Sequence, residues 1–363
     1  CCEAAPLVDP GSGGAPTDLT DASHAAYDPD HSQACELDKQ NGGRMDQFVT
    51  SRVCGDPRNF AVVSGQGANP VAPYWRLADT GALADRYFQS VVGASASNDM
   101  YFARARFVFT DNENIPDSIG SRCEVLPGKR VTFTEPTIGD LLTAQAVPWT
   151  FYAEGYDAMV AAQKDGTCPD AASGCGLGAP IYPCVYSSSD VPFNYYPASR
   201  DNPATLRDFA RLQTDLQGGL PAVSFVKALG FRTEHPGSRD TISDGVAFVS
   251  GVVSAIGASA YAKSTLVLVA YDEGGGYFDH VTPPPVSSVD GQPYGARLPF
   301  LALGPFARRG AVSHRALEHA SIVRFIEWNW LGGATGQLAG RDATANNLGS
   351  LLDPAATGVV VPE

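Results

Sequence analysis

Residues 265–285 read TLVLVAYDEGGGYFDHVTPPP, and the fold turns on this stretch. Thr265–Tyr271 is an unbroken apolar run, the pattern of a strand covered on both faces in a parallel sheet. It leads straight into Asp272-Glu273, then three glycines, then Asp279-His280 and a proline cluster. In open α/β sheets ligands bind beyond the carboxyl ends of the strands, which is where this acidic pair falls. Two adjacent carboxylates repel unless a proton or cation lies between them, and hard oxygen donors suit a divalent metal. The glycines let the backbone turn sharply and approach a ligand closely. A surface turn with an incidental acidic pair would need neither the buried strand nor the triple glycine.

Outward from this junction the C-terminal half alternates buried strands with helices. Val246–Lys263 is apolar but studded with Gly, Ser and Ala, marginal in length for a membrane span and better suited to a helix packed closely on a sheet. Leu298–Leu303 reads as a second buried strand and Glu318–Trp330 as a helix with an apolar face. Upstream, residues 78–92 place Leu83, Tyr87 and Val91 at helical spacing and predict a helix, while Tyr101–Thr110 alternates like a strand. Thr137 predicts a helix start, with Asp140 at the capping-box position. Strands alternating with helices give an α/β layered fold. Without an internal repeat or a clear boundary, one domain over 1–363 is expected, with an extended segment at 1–30 and an irregular excursion at 163–204.

The chain has 363 residues, 44% hydrophobic and 18% charged, which excludes a disordered or fibrous protein. Its 25 Lys+Arg against 39 Asp+Glu leave a net charge of −14, opposing any non-specific hold on nucleic acid or an anionic membrane surface. Eight cysteines (1, 2, 35, 54, 123, 168, 175 and 184) lack the spacing of a zinc site. They predict at least two disulfides in an oxidising compartment, with Cys168, Cys175 and Cys184 ordering the excursion, and a secreted or periplasmic protein. The start at Cys1-Cys2 shows no basic head and apolar stretch of a signal peptide, as if preceding sequence had been removed.

The stretch Asp272-Glu273-Gly274-Gly275-Gly276-Tyr277-Phe278-Asp279-His280-Val281 resembles the bacterial and fungal phosphoesterase family that contains acid phosphatases and phospholipases C. Other blocks agree in order: Asn41-Gly42-Gly43-Arg44-Met45-Asp46-Gln47-Phe48, Leu220–Val226 leading to Glu234-His235-Pro236, Leu298-Pro299-Phe300 and His319–Glu327. The resemblance covers about residues 31–330. It implies an alkaline-phosphatase-like three-layer α/β sandwich with a mainly parallel central sheet. It also implies a metal-dependent phosphoric-ester hydrolase with one divalent metal held by Asp272 and Glu273.

The family's nucleophile lies in a Gly-Pro-Ser/Thr-x-Pro-Asn segment. Here Gly93-Ala94-Ser95-Ala96-Ser97-Asn98 stands in its place, so Ser95 is the implied nucleophile, with both prolines replaced. A hydroxyl needs a metal or an adjacent base to become nucleophilic at neutral pH. His31, preferred over His24, and His235 are the expected contacts to the phosphoryl group. His280 is expected to line the pocket or hold the glycine loop. His319 reads as capping or structural, and His314 as a surface residue. Asp190 stands where the family carries a histidine. The family's Glu-Asn-x-Ser motif does not precede Ser95, since Glu113-Asn114 follows it; an upstream fragment of the same protein would supply it.

A phosphoseryl intermediate follows from these residues, with small phosphomonoesters favoured and phosphodiesters or phospholipid head groups open. Two other readings compete. One is a catalytically silent phosphoesterase-like scaffold used for binding or structure. The other is a serine esterase built on Gly93-Ala94-Ser95-Ala96-Ser97, which approaches a nucleophile elbow but lacks its final glycine.

Overall fold

The apolar runs pair into two sheets rather than one. The computed structural model describes residues 6–63, 69–106, 108–124, 128–237 and 239–363. Its principal strands are β1 (Ala82–Phe88), β2 (Trp149–Ala153), β3 (Leu206–Asp208), β4 (Val223–Lys227), β5 (Val267–Ala270), β6 (Arg297–Leu303), β7 (Ala311–Ser313) and β8 (Leu317–Glu318). The helices that bear on the site are α1 (Gln33–Gln40), α2 (Ala72–Thr80), α3 (Ser95–Arg104), α4 (Ile138–Ala144), α5 (Ile242–Gly257) and α6 (His319–Trp330).

The larger sheet has the order β7-β1-β6-β5, with β8 also paired to β1. β7 and β8 run parallel to β1, but β6 runs antiparallel to both β1 and β5. The smaller sheet, β3-β2-β4, is wholly parallel. The architecture is thus α/β with several sheets, and the expected mainly parallel central sheet is not what the described residues form. One reason lies in the connection from β5 to β6. It carries the glycine and proline loops but no helix, and parallel neighbours need a crossover, usually helical. β5, read as a central strand, stands at the edge of its sheet with all four residues only half-buried.

Two local expectations are corrected. The helix expected at 78–92 is α2 ending at Thr80, followed by strand β1. Leu83, Tyr87 and Val91 are four apart, a spacing that fits one face of a strand as well as one face of a helix. Gly81 separates the two elements where a Cβ would lie 2.4 Å from the Ala302 carbonyl. Tyr87 then stacks on Phe300 across the β1–β6 pair, centroids 4.4 Å apart. The strand expected from Tyr101 is instead the last turn of α3, which ends at Ala105 in a left-handed conformation. The Thr137 capping box forms as expected: Asp140 Oδ2 accepts the Thr137 N–H at 2.8 Å, and Thr137 Oγ1 accepts the Asp140 N–H at 3.2 Å.

Three disulfides join Cys35–Cys54, Cys123–Cys168 and Cys175–Cys184. The last two staple the 163–204 excursion, and the first ties the N-terminal region to the body. Cys1 and Cys2 lie outside the described residues. No described helix is long and apolar enough to cross a membrane.

Candidate active site

Ser95 is the first residue of α3, reached from the end of β1 by a tight turn. Within residues 91–100 it alone is not buried. The two prolines of the family segment are absent, and side-chain hydrogen bonds hold the turn instead. The Gly93 N–H donates to Glu36 Oε2 at 3.1 Å, and the Gly93 carbonyl accepts from Gln89 Nε2 at 2.9 Å and Asn98 Nδ2 at 3.0 Å. Asn98 Oδ1 in turn accepts the Val91 N–H at 3.0 Å. At φ +137° position 93 requires glycine. The dipole at the start of a helix favours an anion at this end, although the Ala96 N–H is already taken by Asn112 Oδ1 at 2.9 Å.

Asp272 and Glu273 sit just beyond the carboxyl end of β5, as the sequence implies. His319 fixes this end: its Nε2 donates to the Asp272 carbonyl at 2.7 Å while its Nδ1 accepts from Tyr87 O–H at 2.6 Å. Burial pushes His319 down to about 4, which keeps the ring neutral. The glycine loop is clamped by Lys39, whose ammonium donates to the Gly276 carbonyl at 2.9 Å. A Cβ on Gly276 would lie 2.9 Å from the Asp30 carbonyl. The Asn41–Phe48 block caps α1 and lies outside the cleft; its Gly43 carbonyl accepts from Thr282 Oγ1 at 2.6 Å.

A cleft of about 250 Å³ brings Ser95, Asp272, Glu273 and His235 together, with His24, Tyr182, Asp190 and Lys227 on the same lining. Lys227, the last residue of β4, escaped the sequence reading. Its ammonium lies 2.5 Å from Asp99 Oδ2 and 3.4 Å from Asp272 Oδ2. Burial opposes the charge, but Asp99, Asp272 and Asp190 around it keep it protonated. A lysine at the end of an apolar strand gives no local signal, because its partners come from α3 and the β5 terminus. Asp190 is pushed up to about 6, chiefly by burial and against the pull of Lys227.

Burial likewise opposes the ionisation of Asp272, yet Lys227 and the Glu273 N–H outweigh it and hold the carboxyl low. Glu273 is pushed up by burial and by Asp272, against the pull of His31. A buried Glu273 beside a partly buried Asp272 supplies oxygen donors of the kind a hard divalent cation takes.

His31 lies in an adjoining cavity with Asp28, Asp30, Ser32, Ala94 and Asp111. Its ring meets that of His235 edge-on, centroids 5.5 Å apart, so the two pockets adjoin through this pair. Burial pulls His31 down, but Glu273, the Pro29 carbonyl and Asp28 outweigh it and push it up to about 9. One donor atom each from Asp28, His31 and His235 lies within 4.8 Å of the others, a possible metal-ligand group. His24 does line the cleft, stacked on Tyr277, and burial lowers it to about 4. His280 lines neither pocket; its Nδ1 lies 3.8 Å from Asp279, a carboxylate held by the fork of Arg297. His314 is exposed and pairs with Asp85 at 2.7 Å. Glu113-Asn114 also lies outside the cleft, Asn114 opening a short strand paired with Lys129–Val131.

The chain is similar in sequence to bacterial phospholipases C. Phospholipase C B of Mycobacterium tuberculosis is 26% identical over 370 residues, covering 92% of this chain and 65% of that protein. Non-hemolytic phospholipase C of Pseudomonas aeruginosa is 25% identical over 327 residues, covering 79% of this chain and 42% of that protein. The chain thus spans less than two thirds of either relative. Among solved structures, a putative sulfatase from Bacteroides thetaiotaomicron superposes with a TM-score of 0.45 at 11% identity, over 82% of this chain and 72% of that one. The profile of the Phosphoesterase family matches residues 8–331, and the chain belongs to that family.

Proposed function

We propose that this chain is a phosphoric-ester hydrolase acting through a phosphoseryl intermediate. What carries the reading is the meeting in one cleft of the Ser95 hydroxyl, at a helix N-terminus, with Asp272, Glu273, Lys227 and His235. Ser95 Oγ attacks phosphorus in line; the new P–O bond to serine forms as the bond to the leaving alkoxide breaks. Water then displaces the serine oxygen and releases the phosphoryl group. The positive end of the α3 dipole faces the charged oxygens, and His31, held as the imidazolium, donates to one of them. His235 supplies the proton the leaving alkoxide needs. His280 steadies the glycine loop through Asp279. Asp272 and Glu273 would hold the divalent ion, which supplies Lewis-acid chemistry by lowering the Ser95 pKa and neutralising phosphoryl charge.

The reading extends to an alkaline-phosphatase-like layered fold, to secretion or a periplasmic location supported by the disulfides, and to an upstream Glu-Asn-bearing segment. Such a segment would find room beside β4 or β5, whose outer edges carry no partner strand among the described residues. Small phosphomonoesters are the proposed substrates; the names of the relatives put the phosphodiester of a phospholipid next. Lys227 on Asp272 and Asp190 in the cleft favour the silent scaffold as second reading. The strand–turn–helix around Ser95 also suits an esterase elbow, but among the described residues no histidine hydrogen-bonds to Ser95.

Hydrolysis of an aryl phosphate, a bis-aryl phosphate and phosphatidylcholine, with and without divalent cations, tests the proposal. Ser95→Ala should abolish turnover while barely changing stability. His235→Ala should lose less, on the order of 10²–10³-fold. Full activity in Ser95→Ala would remove the nucleophile. No hydrolysis of any of the three esters with any cation would leave the scaffold.

A further inference from the structure

Where the two pockets adjoin, His31 and His235 are held in one tautomer. His31 Nδ1 bonds the Pro29 carbonyl at 2.8 Å, and His235 Nδ1 bonds the Pro236 carbonyl at 2.7 Å. A carbonyl only accepts, so each Nδ1 carries a proton and Nε2 is the atom left to ligate, with any proton there released to solvent as an ion binds. Imidazoles that ligate metals are pinned in this way through the nitrogen remote from the metal. Asp28, three residues from His31, places a half-exposed carboxylate 3.6 Å from His31 Nδ1, beside the ring, from where it reaches an ion at Nε2 by turning its side chain. The cavity lined by Asp28, His31, Ala94 and Asp111 gives the group an entry path from solvent.

We infer that Asp28, His31 and His235 form a binding site for a borderline transition-metal ion, Zn²⁺ foremost, distinct from the oxygen-only pair Asp272–Glu273. Two imidazoles and one carboxylate are the donors zinc takes in three-ligand sites with an open fourth position. A hard ion such as Mg²⁺ prefers oxygen donors and its own waters, so the two sites sort metals by chemistry. The spread of up to 4.8 Å between donor atoms contracts on binding, since zinc holds its ligands at ~2.0–2.2 Å. In the phosphoesterase proposed above the two histidines meet the phosphoryl group, so an ion between them excludes substrate and zinc inhibits competitively. The inhibition rests on that proposal, while the binding does not.

Titration of the full chain with Co²⁺ alone, followed by visible absorption, tests the site. The expected result is the intense bands of four- or five-coordinate cobalt with nitrogen ligands, saturating at one equivalent and lost on adding Zn²⁺. Asp28→Asn and His235→Gln should each weaken this ion by more than about tenfold. Circular dichroism checks that the variants fold, and Asp28, being half-exposed, keeps the test usable should His235→Gln fail. Only the weak spectrum of six-coordinate cobalt, or intense bands unchanged in Asp28→Asn, would overturn the site. In the aryl phosphate assay zinc should raise KM and leave kcat unchanged; an unchanged KM would overturn the inhibition. If the chain hydrolyses no ester, the cobalt bands still decide the site, so the two failures are distinguishable.

Discussion

At the scale of single residues, Lys227 decides the electrostatics of the cleft. Asp99, Asp190 and Asp272 all act on its charge. Removing one partner of a buried ion pair leaves uncompensated charge and typically costs about 3–5 kcal/mol. Lys227→Met should therefore lower the thermal midpoint markedly. If the lost quantity is positive charge beside Asp272, adding Mg²⁺ or Ca²⁺ should restore part of the midpoint in the variant and do little for the wild type. A midpoint unmoved by the substitution would show that the lysine is incidental. Asp190 belongs to the same balance: with a carboxyl pushed up to about 6 it carries less charge in the cleft than its identity suggests.

At the scale of elements, the β1–α3 junction replaces two prolines by hydrogen bonds. Proline stiffens a turn through its fixed φ, whereas here Asn98 bridges the Val91 N–H and the Gly93 carbonyl from the helix that follows. Asn98 is fully buried, so Asn98→Ala leaves the Val91 N–H unpaired, at about 1–3 kcal/mol, and the Gly93 carbonyl with Gln89 in place of two donors. Activity should fall with it although Ser95 is intact, because this turn aims the proposed nucleophile. Urea unfolding and kcat on an aryl phosphate measure the two effects, and loss of stability with unchanged kcat would separate the turn from catalysis. The same junction shows why the element was misread: Leu83, Tyr87 and Val91 satisfy both periodicities, and pairing with β6 chose the strand.

At the scale of the whole molecule, the disulfides hold long segments that carry little regular structure. In the chain-entropy picture, closing the 45-residue Cys123–Cys168 loop contributes roughly 4 kcal/mol and the 9-residue Cys175–Cys184 loop about 2.6. Replacing Cys123 and Cys168 by serine should lower the urea midpoint more than the same change at Cys175 and Cys184; the opposite order would mean that strain or packing outweighs loop entropy. Much of this molecule was legible in its sequence: the strand into Asp272-Glu273, the glycine turn, the Thr137 cap and the disulfide-tied excursion are all local patterns, set by side-chain period, backbone sterics and cysteine spacing. The sequence, through the order of its motif blocks, also pointed to the family. Lys227 against Asp99 and Asp272, His24 in the cleft, Asn98 under the nucleophile turn and the antiparallel course of β6 were decided only by the tertiary structure. Each depends on groups far apart in the chain, whose interaction exists only once burial has brought them together and removed the water between them.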